Sequence, residues 1–147
     1  MKETIKIDEN KLPKLVKEEY KIAKTLKKQD EIKQNVNKDF LTFVKYVWRD
    51  FVEGSHHRHI ADKFNELASG EINRLIINMP PRHTKSEFAS CLLPAWMVGR
   101  EPKLKIIQAT HTAELAIRFG RKAKNLIDSE EYQQLFKTKL QEDSKAA

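Results

Sequence analysis

The chain has 147 residues, enough for one domain with a core, and carries a net charge of +7. Its single cysteine, Cys91, excludes an intramolecular disulfide. No apolar run approaches the roughly 20 residues that span a bilayer, and the Lys-rich start lacks the apolar core of a signal peptide, so a soluble intracellular protein is expected. The positive charge suits an anionic partner, although excess lysine is also ordinary surface chemistry.

Residues 1–37 are dense in Lys and Glu and are read as a helical N-terminal segment. Leu12, Leu15, Val16, Tyr20, Ala23 and Leu26 recur at helical steps, with a mainly Lys polar face. Residues 38–49 are the most aromatic stretch: Phe40, Phe43, Val44 and Val47 share a stripe, and Tyr46 and Trp48 lie off it. Gly54 and Ser55 separate this element from a helix over 57–68, with Ser55 as a candidate cap and Gly70 as the stop. Residues 74–79 (RLIINM) read as a buried strand. Residues 86–98 read as a helix kinked or restarted at Pro94. A second strand is expected over 103–109, a long helix over 112–127 and a short one over 130–136. Strand, loop, helix, strand, helix predicts an α/β fold: helices, then the start of a parallel sheet with right-handed crossovers. Residues 38–140 would form this region and 141–147 a polar tail.

The stretch INMPPRHTKSE (77–87) carries the chemistry. A phosphate-binding loop turns sharply after a strand, opens a helix whose free N–H groups favour an anion, and offers a Lys and a neighbouring hydroxyl. Lys85 and Ser86 stand at the end of such a turn. In the spacing G-x-x-x-x-G-K-[ST], Met79 and Thr84 occupy the two glycine positions. Glycine there allows positive φ; a Thr in that conformation is strained. Pro80 and Pro81 stiffen the turn. Without any ligand, the same stretch reads as a Pro-rich connection with Arg82, His83 and Lys85 as a generic anion patch. The His-rich HHRH does not read as a metal site: His57 and His59 are two apart and point to different helix faces. His56 and Arg58 are expected to be exposed. Thr112 reads as an N-cap, and Arg118, Arg121, Lys122 and Lys124 as a DNA-facing, subunit-facing or simply solvated basic face. Asp128 and Glu130 read as helix-end residues, because the run before them is too short for an apolar strand ending in a catalytic acid.

YVWRDFVEGSHHRHIADKF, RLIINMPPRHTKSE, LLPAWMVGREPKLKIIQATHTAELAIRFGRK and SEEYQQLF, within residues 46–136, resemble the N-terminal ATPase region of the large terminase subunit of tailed bacteriophages. In that family the loop commonly reads Pro-Pro-Arg-His-Gly-Lys-Ser; Thr84 departs from it. The resemblance implies a P-loop NTPase fold that binds ATP and Mg²⁺. Lys85 would contact the β/γ-phosphates, Ser86 would ligate Mg²⁺, and Arg82 would serve the γ-phosphate. Met79, Pro80, Pro81, Arg82, His83 and Thr84 would form the cradle. Phe51 and His57 match the region where such ATPases hold adenine. The resemblance also implies a motor that drives duplex DNA into a procapsid in the host cytoplasm, as a homo-oligomeric ring working with a portal protein and a small terminase subunit. The family's acidic motif and nuclease domain have no counterpart here, so the chain reads as an N-terminal portion, with little or no hydrolysis alone. Alternative readings are a fragment of another P-loop motor, such as a helicase, or a non-catalytic basic module that binds DNA or a partner.

Overall fold

The computed structural model of the protein describes residues 13–140. The chain divides into two compact units, Met1–Gln34 and Asn35–Ala147. The first is described by a single helix, α1 (Lys14–Lys38), whose last turn enters the second unit. Val16, Ile22 and Leu26 are exposed on α1; Leu12 and the side chain of Leu15 lie outside the described residues, as does the tail 141–147.

The second unit holds α2 (Phe40–Val47), α3 (Ser55–Ser69), α4 (Lys85–Glu87), a π-helical turn (Phe88–Leu92), α5 (Leu93–Arg100), α6 (Ala113–Ile127) and α7 (Glu130–Leu135). Asp39 caps α2, its carboxylate accepting from the Thr42 N–H at 2.7 Å. Asn65 of α3 closes the same corner: its amide donates to Asp39 Oδ1 at 2.9 Å and its carbonyl oxygen accepts from the Phe40 N–H at 2.9 Å. Burial pushes the Asp39 carboxyl up, but the hydrogen bonds from Thr42 and Asn65 outweigh it and hold it below its ordinary value.

The amphipathic stripe of α2 then fixes the core. Phe40, Phe43 and Val44 are fully buried, as expected from their spacing. Phe40 meets Phe64 of α3, Phe88 of the π turn and Trp96 of α5 edge-on, at centroid distances of 5.1, 5.5 and 5.5 Å. Phe43 packs on Tyr132 and Phe136. Two polar groups inside this core are satisfied: Trp96 Nε1–H donates to the Val36 carbonyl at 2.7 Å, and the Tyr132 hydroxyl to the Ala95 carbonyl at 2.8 Å. Gly70 ends α3 in the left-handed conformation, φ 81°.

The expected parallel sheet is not present, and the α/β class is corrected accordingly: among the described residues the fold is helical and has no strand. Over 75–79 half-buried and exposed residues still alternate, as a strand would require, but no backbone ladder forms. Ile76 is 87% exposed and Ile107 96%. Sequence alternation and β-branching specify which side chains share a face; they do not supply a neighbour for the backbone N–H and C=O groups.

The helix after the loop restarts at Pro94, as expected: α5 begins with Pro94 in its first turn, directly after the π turn. Leu93 N–H donates five residues back, to the Phe88 carbonyl, so the turn is widened to π. Pro94 has no N–H to give the Ser90 carbonyl, and Gln108 Nε2 donates to that oxygen at 3.2 Å. Ser55, expected as a cap, is instead the first helical residue, after Gly54.

Two glycines give opposite predictions. A Cβ on Gly99 would lie 2.6 Å from the Phe136 ring and 2.7 Å from the Tyr132 hydroxyl, whereas one on Gly120 in α6 meets nothing within 4 Å. Gly99→Ala is expected to destabilise by about 1–3 kcal/mol, and Gly120→Ala to stabilise by about 0.5–1 kcal/mol. Urea unfolding of both variants checks the pair; equal signs would contradict this packing.

Candidate phosphate-binding loop

Residues 81–84 form a tight turn between the extended 74–80 segment and α4. Among the described non-glycine residues, only Arg82 (φ 66°) and Thr84 (φ 59°) are left-handed. Thr84 sits where the second glycine of a phosphate loop would be, in the conformation that glycine is chosen to allow. Arg82 was not expected there. His83 Nδ1 lies 2.9 Å from the Pro81 carbonyl and tightens the turn.

Thr84 is the N-cap of α4, and its carbonyl accepts from the Phe88 N–H at 2.9 Å. An N-cap Thr ordinarily turns its hydroxyl onto the first N–H groups of the helix. Here it makes no such bond. Its Oγ1 donates to the His83 carbonyl at 2.6 Å and lies 2.7 Å from His57 Nε2. The N–H groups that open the helix are therefore not quenched by their own cap.

Lys85 and Ser86 are exposed, and among the described residues no carboxylate pairs with Lys85. Arg82 is also exposed and, among the described residues, has no ion-pair partner. Pro80, Pro81 and His83 are exposed; Met79 is half-buried and faces α3 across a cleft shared with His59 and Ile60. A free cation, a hydroxyl and open N–H groups at one helix start form a donor set that fits a Mg²⁺-bound polyphosphate.

No family model, no curated protein and no solved structure matches the chain.

Phe51 and His57 stand beside the loop. Phe51 is half-buried, its ring centroid 4.9 Å from His57 and 5.6 Å from Phe88. His57 is 6% exposed and hydrogen-bonded at both ring nitrogens: the Gly54 N–H donates to Nδ1 at 2.8 Å, and Nε2 faces Thr84. Both rings pack against protein neighbours, and Phe51 keeps part of its surface exposed. His56 is half-buried rather than exposed, its ring 3.8 Å from that of His57. Arg58 is exposed as expected and pairs with Glu53, which also binds Lys45. Among the described residues no three His, Cys, Asp or Glu side chains are arranged to hold a metal ion.

Behind the loop, Glu87 pairs with Lys122 of α6. This contact takes Lys122 out of the basic row that also holds the exposed Arg118 and Arg121. The signal was present, a Glu two residues past Lys85 and a Lys in a basic helix, but nothing in the sequence paired them. Thr112 caps α6 through the Leu115 N–H, as expected. Asp128 ends α6 and Glu130 opens α7, which Ser129 caps. Cys91 is buried, and burial with Glu87 nearby pushes its thiol up to about 11.

His57 is the group through which pH is expected to act on this region. Burial chiefly, then the neighbouring His56 and His83, hold its imidazole below the ordinary value, with Glu53 opposing. The unfolded chain thus takes up a proton first as pH falls. Stability from neutral His57 is full above the ordinary imidazole value near 6.5 and is lost as pH falls from there through the lowered folded-state value. The urea midpoint of the wild type is expected to fall between about pH 7.5 and 5.5, and His57→Gln to show a shallower fall; parallel slopes would exclude His57 as the cause.

Proposed function

We propose that this chain is a nucleotide-binding segment of a DNA-packaging motor of the terminase large-subunit kind. One observation carries the reading: Thr84 is held left-handed at the position of the loop's second glycine, directly before Lys85 and Ser86. The words PPRHTKSE and their flanks support the family. The reading rests on the turn and the helix start, and on no sheet.

Lys85 would bind the β/γ-phosphates of ATP, and its exposure leaves the ammonium free to do so. The Ser86 hydroxyl would complete the shell of Mg²⁺. Arg82, exposed and left-handed, would sit against charge developing on the γ-phosphate. When bound, MgATP supplies the phosphoryl group to be transferred; the chain supplies position and countercharge. Asp128 and Glu130 lie at helix ends, and neither is assigned the role of activating water. Slow turnover or none is expected from these residues alone.

In the intact motor, this segment would couple hydrolysis to movement of duplex DNA into a procapsid. Docking on a portal, a small-subunit partner, ring assembly and residence in the host cytoplasm belong to the same proposal. No helix among the described residues is long and apolar enough to cross a membrane.

Calorimetric titration with MgATP tests the nucleotide step. Lys85→Ala is expected to weaken binding by roughly 10- to 100-fold, the loss of a charge-assisted contact. An unchanged affinity would reduce the loop to a basic turn. Duplex DNA binding indifferent to nucleotide and to Lys85 would favour the basic-module reading instead.

A further inference from the structure

We propose that His57 is a positioning residue for the loop: its imidazole holds the Thr84 hydroxyl, keeping Thr84 left-handed and its oxygen off the N–H groups of the following helix. The inference rests on the nucleotide reading above and says how a loop without glycine meets its geometric requirement.

The hydrogen-bond accounting leaves one arrangement. The Thr84 hydroxyl has a single proton, and the His83 carbonyl, 2.6 Å away, can only accept it. Oγ1 must then accept from His57 Nε2 across 2.7 Å, so Nε2 carries the proton. Nδ1 must be bare, because the Gly54 N–H donates to it at 2.8 Å. His57 is therefore neutral, with its proton on Nε2. The chain of donors runs from Gly54 through His57 and Thr84 to the His83 carbonyl.

This chain bears on two requirements. A left-handed Thr persists only where its surroundings over-determine it, and a buried ring fixed by Gly54, Phe51 and Phe88 is such a surrounding. A free Thr hydroxyl at an N-cap would also compete with phosphate for the helix N–H groups. The bond to His57 turns it away. Glycine would meet both needs by having no side chain, so His57 matters only while residue 84 carries a hydroxyl.

A double-mutant cycle on the 147-residue chain reads this coupling. His57→Ala is expected to weaken MgATP binding roughly tenfold when Thr84 is present and less than about twofold in the Thr84→Gly background. Equal losses in both backgrounds would overturn the inference while leaving the nucleotide reading intact. His57→Gln, which can still donate to Oγ1, is expected to recover part of the loss and guards against misfolding of the alanine variant. Nitrogen-15 spectra of the imidazole give a readout independent of nucleotide: the Nε2–H tautomer in the wild type and its redistribution in Thr84→Val. A wild type that shows another tautomer would overturn the lock directly. Failure of the wild type to bind MgATP would remove the nucleotide reading, and the spectra would then decide the lock alone.

Discussion

The ring of Phe88 is the contact on which the rest of the second unit depends. It follows Lys85 by three residues, is fully buried, and touches Phe40 on one side and His57 and Phe51 on the other. Phe40 in turn is held by Phe64 and Trp96. The start of α4 is thus pinned to the aromatic core by the residue that ends its first turn. The loop itself is held at Thr84 by His57 and at His83 by the ring of His56. Its tip of Pro80, Pro81, Arg82 and His83 is exposed.

Much of this could be read from residue types and spacing. The stripe Phe40-Phe43-Val44 declared its buried face, Gly70 its stop and Thr112 its cap, because each signal is local and is satisfied within one turn of helix. The strands at 74–79 and 103–109 failed for the complementary reason. A strand is defined by a partner distant in sequence, and β-branched runs announce a wish for one without naming it. The alternation of exposure over 75–79 is what remains of that pattern when no ladder forms.

The site divides along the same line. Thr84 was legible as the odd residue of the loop, and its left-handed backbone follows from the spacing of Met79 and Ser86. His57 drew notice for its flat ring, yet its nitrogens do the bonding here. Gly54 and His57, three apart at a helix start, were the available hint: a side chain at the third helical position reaching back to the cap N–H. The other half of its contacts lies 27 residues downstream and could not be read from that local pattern. Ionic pairing of Glu87 with Lys122 was hidden for the same reason.

The π turn at Phe88–Leu92 sets an angular phase. One extra residue in a helix rotates everything beyond it by about 100° relative to an α-helical register. Lys85 and Ser86 lie on one side of that insertion, and Ala95 and Trp96 on the other. The outward aim of the exposed Lys85–Ser86 end is therefore decoupled from the inward aim of the core-facing end. Without the turn, one helix could not present Lys85 to solvent and bury Phe88, Cys91 and Trp96 along its present faces. Pro94 and the Gln108 amide, which together leave the Ser90 carbonyl without its α-helical donor and then satisfy it, act as the pawl that keeps the rotation from relaxing.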